Sequence, residues 1–294
     1  MKHIFKIWLF CYNRKVKEVK IMHKLACPKC REALELKGNS YVCKNRHTYD
    51  LAKSKYINLL LNPDKNSNNP GDSKESLIAR KAFLNAGYYQ CIQDALNHYI
   101  KNHSKDKMQI FDLGCGEGYY LHQLKDALNN DQNTYYGLDI SKEAIQMATK
   151  YDKSIHWIVG NSKNIPLLDH SMDVVSCMFT VVNKNELDRI LKKDGYIIHV
   201  TANPNHLIEI KELIYDEVHV KDDTFIRLDF PIIESFDLIK NIKINQHEDC
   251  LNLLKMTPHY YHIKKSRREN IETMKEMDIT IDVKFTIYGA KNEL

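Results

Sequence analysis

The sequence predicts an α/β protein, a doubly wound Rossmann-like domain preceded by a small N-terminal metal-binding module. Three observations carry this. Apolar strand-length runs alternate with helix-spaced patterns from Gln109 onward, and a glycine-rich turn, Asp112-Leu113-Gly114-Cys115-Gly116-Glu117-Gly118, joins the first run to a helix. Ahead of both, Cys27, Cys30, Cys43 and His47 cluster within one short stretch. A chain of 294 residues accommodates one α/β domain of about 200 residues plus an accessory module.

Gln109 to Leu113 reads as a short buried strand and Tyr119 to Leu128 has helical spacing, so the glycines sit where backbone must approach a ligand closely. The pattern is G-x-G-x-G, not the G-x-G-x-x-G that seats a pyrophosphate, and Asp112 and Glu117 flank or interrupt it. Carboxylates there repel a phosphate. S-adenosylmethionine carries an ammonium and a sulfonium and no phosphate, so Coulomb attraction favours it as the cofactor. Asp139 ends the next strand, Thr134 to Leu138, about 20 residues beyond the loop, where a carboxylate accepts the ribose hydroxyls. The alternative is that the glycines only make a tight turn and Asp139 only caps the helix near Lys142. Both signals would then be accidents.

The alternation continues with a helix at Lys142 to Tyr151, strands at Ile155 to Val159 and Asp173 to Met178, a helix at Asn185 to Leu191 and a strand at Tyr196 to Thr201. Phe236 to Ile244 follows, and Ile279 to Tyr288 alternates as Ile279, Ile281, Val283, Phe285 and Ile287, the pattern of an antiparallel edge strand. Ligands of such sheets lie beyond the C-terminal strand ends, which places Asn161 and Ser162 near the adenine, with a plain turn as the alternative. His206 falls on the same rim, where the local sequence reads only as surface or helix start.

The cysteine spacing C-x2-C-x12-C-x3-H supplies four ligands of the kind that surround a tetrahedral Zn2+. Four protein ligands leave no open position, so the zinc is structural, contributing roughly ten kcal/mol to folding a module too small for its own core. A redox C-x-x-C pair is the alternative, but no thioredoxin-like context surrounds it. Scattered Cys11, Cys91, Cys115, Cys177 and Cys250 suit a reducing cytoplasm. Around the metal ligands lie Lys29, Arg31, Lys44, Arg46, Tyr49, Lys53, Lys55 and Tyr56, cations for phosphates and rings for stacking on bases.

Four segments are expected: an extension at 1–22, for which Met22 is an alternative start, the zinc module at 23–61, a connector at 62–72 and the α/β domain at 73–294. The apolar run from Ile4 to Tyr12 is interrupted by Lys6 and falls far short of the ~20 residues that span a bilayer, so no membrane partner is expected. Asn62 to Gly71 is polar and rich in Asn and Pro. Asp72 with Glu75 forms a capping box for a helical region running toward His98, broken at Gly87 and packed beside the cofactor cleft. A net charge of +5 permits a nucleic-acid partner and decides nothing further.

Several segments together resemble the bacterial 23S rRNA guanine-N1-methyltransferase family, from about Leu25 to near the C-terminus. They are Cys27-Pro28-Lys29-Cys30, Tyr41-Val42-Cys43 with His47, Tyr56-Ile57-Asn58-Leu59-Leu60, Pro70-Gly71-Asp72-Ser73, Arg80 through Tyr89, the glycine loop through Tyr120, Gly137-Leu138-Asp139, His206-Leu207 and Met256-Thr257-Pro258. The resemblance implies methyl transfer to guanine N1, with the zinc module engaging the helix 35 hairpin of 23S rRNA. It implies cofactor contacts at Tyr89, Gly116, Glu117 and His206. One segment departs: after the fourth strand the family is expected to have an aromatic, a small residue, proline and cysteine, and this chain has Phe179-Thr180-Val181-Val182. That segment lines the target-base pocket in related folds, so a zinc- and RNA-binding protein without turnover stays open, as does a methyltransferase of small molecules or proteins, which the same α/β domain supports. No general base is identified, and the oligomeric state is undecided, a homodimer included.

Overall fold

A computed structural model describes residues 23–61, 71–218, 228–257, 260, 263–264 and 272–291. The expected extension at 1–22, the polar connector from Asn62 to Pro70, and Pro258 lie outside the described residues. A small antiparallel sheet comes first: β1 (Glu35–Lys37), β2 (Ser40–Val42) and β3 (Thr48–Asp50). The next strand, β4 (Tyr56–Asn58), leaves it and pairs in parallel with β7 (His156–Val159) of the large sheet.

The large sheet continues with β5 (Gln109–Leu113), β6 (Thr134–Asp139), β8 (Met172–Met178), β9 (Leu191–Ala202), β10 (Ile232–Ile244) and β11 (Met277–Gly289), in the order β10-β11-β9-β8-β5-β6-β7-β4. Every residue of β5 and β8 is buried, as expected of parallel strands covered on both faces. Their side chains alternate between two cores. Ile110 joins Ile92, Leu96, Leu121 and Leu124 of helices α2 (Gln90–Asn102) and α3 (Tyr119–Leu128). Phe111 and Leu113 join Leu25, Leu34 and Tyr41 of the N-terminal module, together with Leu187 and Ile190 of α5 (Lys184–Ile190). The module therefore shares its core with the sheet.

Two expectations are corrected. β11 is an interior strand, pairing with β9 on one side and β10 on the other, and β10 is the mostly exposed edge. Phe236 of β10 stacks on Phe285 at 4.9 Å and 6°, packing against the apolar face of β11 that the alternation marks. The cap of α1 (Lys74–Asn85) is Ser73, whose Oγ accepts from the Ser76 N–H. Asp72 and Glu75 instead pair with Arg80 and Lys255. The break at Gly87 is present, with φ of 86° between α1 and α2. Helices α4 (Lys142–Ala148), α6 (Ile208–Ile214) and α7 (His247–Met256) complete the layers. Among the described residues no helix is long and apolar enough to cross a membrane.

One carboxylate ties the module to the α/β layer. Arg31 reaches Glu186 with both terminal nitrogens at 3.1 Å, while Arg189 donates to the same carboxylate from Nε at 3.0 Å and Nη2 at 2.8 Å. The Ile165 N–H adds a contact at 2.6 Å. Burial works to raise the Glu186 carboxyl, but Arg189 and Arg31 hold it below its ordinary value. Glu186→Ala removes the shared acceptor. Allowing for the exposure of Arg31, it is expected to lower urea stability by about 2–3 kcal/mol and speed hydrogen exchange first in residues 23–61. An unchanged urea midpoint would contradict this anchoring.

Candidate metal and cofactor sites

Two tight turns present the four metal-binding side chains. The Arg31 N–H donates to the Cys27 carbonyl at 2.8 Å and the Arg46 N–H to the Cys43 carbonyl at 2.9 Å. Arg31 and Arg46 each take a left-handed φ of 62°, which reverses the chain after each ligand-bearing turn. Cys30 and Cys43 sulfurs lie 3.7 Å apart, and His47 Nδ1 is 3.4, 3.5 and 3.5 Å from Cys27, Cys30 and Cys43 Sγ. A tetrahedron with ordinary Zn–S bonds has edges of ~3.8 Å, so the four atoms already stand at zinc-ligand spacing. The Tyr49 hydroxyl lies 3.3 Å from Cys27 Sγ, positioned to donate to a thiolate. The donor set fits structural Zn2+.

This geometry takes Tyr49 out of the expected stacking surface, and Tyr56 is buried in the sheet core. Arg31 and Lys44 are committed to Glu186 and Glu32. Lys29, Arg46, Lys53 and Lys55 remain exposed.

The second site is built on the loop from β5 to α3. A Cβ on Gly114 would stand 2.3 Å from Thr180 Oγ1, and one on Gly118 would meet Trp157 Cη2 at 2.7 Å and Ala148 Cβ at 2.9 Å. Gly114, Gly116 and Gly118 all have positive φ, of 71°, 55° and 90°. The Gly114 and Cys115 N–H groups both donate to the Leu138 carbonyl. The Gly116 N–H donates to Asp139 Oδ2 at 3.0 Å and the Ser141 N–H to Oδ1 at 2.8 Å, fixing Asp139 against the loop.

A cavity of about 700 Å³ opens over these strand ends. It is of the size that takes a nucleoside-type ligand. Tyr89, Asp112, Gly114, Gly116, Glu117, Asp139, Ser162 and His206 all line it. Gly118 and Asn161 do not: Gly118 packs on Trp157 behind the loop, and the Asn161 side chain accepts from the Lys163 N–H in a turn. Sequence reasoning missed Asp72, Arg80 and Lys211, which also line the cavity. The signal for Arg80 was local, a cation between Leu77 and Leu84 on the inward face of α1.

Three carboxylates, Asp112, Glu117 and Asp139, line the cavity together. Asp112 is 1% exposed; its Oδ1 accepts from Ser176 Oγ at 2.8 Å, and its buried Oδ2 has no partner among the described residues. Burial, with Asp139 and Glu117 adding to it, pushes its carboxyl up to about 7. Burial also raises Glu117 and Asp139. An unpartnered carboxylate oxygen beside two further carboxylates suits a cationic ligand, and the ammonium and sulfonium of S-adenosylmethionine meet that requirement. When bound, that cofactor supplies an electrophilic methyl group. On the opposite wall His206 Nδ1 accepts from the Asp282 N–H at 3.2 Å, which leaves Nε2–H to donate to Tyr89 Oη at 3.3 Å. Phe179 stacks on the His206 ring at 5.8 Å and 20°. His206 and Tyr89, each unremarkable in its local sequence, are thus brought together.

Two outcomes follow. Cys43→Ser is expected to abolish stoichiometric zinc by elemental analysis and unfold the module; full zinc occupancy in that variant would remove the metal site. Asp112 is raised in the fold, so its contribution to stability is present at low pH and lost as the pH rises through about 7. In Asp112→Asn the fall in urea stability of the cofactor-free protein between pH 5 and 8 should shrink by on the order of 2 kcal/mol. An undiminished fall would show that Asp112 does not carry this titration.

Comparison with known proteins covers both regions of the chain. Residues 25–68 match the family described as RlmA, N-terminal, a zinc ribbon, and residues 104–246 match that described as Methyltransferase domain. YxjB of Bacillus subtilis (strain 168), assigned as a 23S rRNA (guanine-N(1)-)-methyltransferase, is 30% identical over 89% of this chain and 95% of its own length. The 23S rRNA (guanine(748)-N(1))-methyltransferase of Streptomyces fradiae is 24% identical over 91% of this chain and 97% of its own. A demethylmenaquinone methyltransferase from Geobacillus sp. (strain WCH70) is 27% identical but over only 36% of this chain. Similarity that runs through ribbon and sheet together distinguishes the first two from the third. The chain is an S-adenosylmethionine-dependent methyltransferase with a structural zinc ribbon, and it belongs to the 23S rRNA (guanine-N(1)-)-methyltransferase family.

Proposed function

We propose that the protein methylates N1 of a guanine in the helix 35 hairpin of 23S rRNA, in the cytoplasm. The observation that carries this reading is the loop after β7. Ser162 lines the cofactor cavity, and two residues on, Asn164 Nδ2 donates to the Pro28 carbonyl between Cys27 and Cys30 at 3.0 Å. RNA held on the exposed Lys29 and Arg46 of the ribbon therefore lies within a short reach of the cavity.

Guanine N1 carries a proton at neutral pH and is paired inside helices, so the target must be splayed out of its stack and lose that proton. Phe179, 41% exposed and braced by His206, offers a flat ring at the cavity wall on which a splayed base stacks. Val181, 76% exposed beside it, extends the apolar surface. Holding the base in line with the reacting methyl at ~3 to 3.5 Å removes orientational entropy, the main catalytic contribution expected here. The reading also divides the chain into ribbon at 23–61 and α/β domain from 73.

The test is to map N1-methylguanine in 23S rRNA from a deletion strain and its complemented parent. One modified guanine, absent in the first and restored in the second, is expected. Labelled methyl entering protein or small metabolites instead, with none in rRNA, would overturn the substrate assignment.

A further inference from the structure

The cavity walls hold an excess of negative charge. Asp72, Asp112, Glu117 and Asp139 line it, against Arg80 and Lys211. That balance suits the ammonium and sulfonium of the cofactor and opposes the carboxylate on its amino-acid end. A carboxylate entering among carboxylates needs a cation with hydrogen-bond donors aimed at it.

Lys211 is the weaker candidate. Its Nζ already donates to the Pro204 carbonyl at 2.8 Å, and burial lowers its pKa, with only Asp282 working the other way. Arg80 stands on α1 directly over the glycine loop, its Nη1 3.7 Å from where a Cβ on Gly116 would be. Its charge reaches Tyr89, Glu117 and Asp139, in each case opposing the effect of burial. Asp72 Oδ2 holds Nη1 at 2.6 Å. The other nitrogens of the guanidinium have no partner among the described residues, although the side chain is only 30% exposed.

We propose that Arg80 binds the α-carboxylate of S-adenosylmethionine through its guanidinium fork, with Asp72 as the positioning residue that orients it. This rests on the cavity as the cofactor site and is independent of the RNA substrate. A planar fork matches a carboxylate with two parallel hydrogen bonds, which an ammonium does not reproduce. Because Arg80 belongs to α1, the same contact draws that helix over the bound amino-acid end.

The experiment is calorimetric titration of the zinc-loaded full-length protein with S-adenosylmethionine and with its decarboxylated analogue, which lacks only the carboxylate. Arg80→Gln should weaken S-adenosylmethionine binding ~10–100-fold and leave the analogue unchanged or tighter, because a repelling cation has been removed. Arg80→Lys, which keeps charge and helix propensity but gives up the fork, should lose ~3–10-fold for S-adenosylmethionine alone. Equal weakening of both ligands would overturn the proposal and make Arg80 a counter-charge for Glu117 and Asp139. Selective loss in Lys211→Gln but not in Arg80→Gln would overturn it in favour of Lys211. Wild-type protein that binds neither ligand would overturn the cofactor site itself, a failure distinct from the other two.

Discussion

Asp112, Glu117 and Asp139 are held together at the C-terminal ends of β5 and β6 with too few cations beside them, so the cofactor-free protein carries an electrostatic cost. Desolvated like charges repel, and the fold accommodates them by raising all three carboxyls. A ligand bringing positive charge relieves that repulsion, so the site favours a cation. The surrounding geometry serves this arrangement. The glycine loop lets the Gly116 N–H reach Asp139, Ser176 holds one oxygen of Asp112 and leaves the other open, and α1 lays Arg80 across the loop.

The ribbon and the α/β layer are interlocked. β4 extends the large sheet, Leu25 and Tyr41 share a core with Phe111 and Leu113, and Arg31 and Arg189 converge on Glu186. Zinc supplies the order that the small β1-β2-β3 sheet cannot draw from apolar burial alone. Asn164 bonds the Cys27–Cys30 turn and Ser162 lines the cavity, so one short loop touches both.

Legibility followed the range of the interactions involved. β5 and α3 were read to the residue because a five-residue apolar run, three glycines and helical spacing are local signals. The metal cluster was equally legible, since ligand spacing along the chain dictates which side chains a tetrahedral ion can gather. The cap of α1 was misplaced by one residue because Asp72 and Ser73 are both good capping residues, and the choice turned on Asp72 being drawn to Arg80 one helical face away. Local sequence makes Tyr49 and Tyr56 look like surface rings because nothing local shows that one leans on Cys27 and the other is buried.

By itself the sequence determined the α/β class, the cationic nucleoside cofactor, the zinc ligands and, through many short matching segments, the family. The first three depend on residue type, spacing and local periodicity, and the family on resemblance. Only the tertiary structure decided that β11 is interior, that Gly118 serves packing and not the cavity wall, and that Tyr89, His206 and Phe179 stand against one another. What Arg80 faces, Asp72 and the glycine loop, was decided there too. Each of these depends on pairing between residues far apart in the chain, and periodicity reports the face a side chain occupies without naming what packs against it.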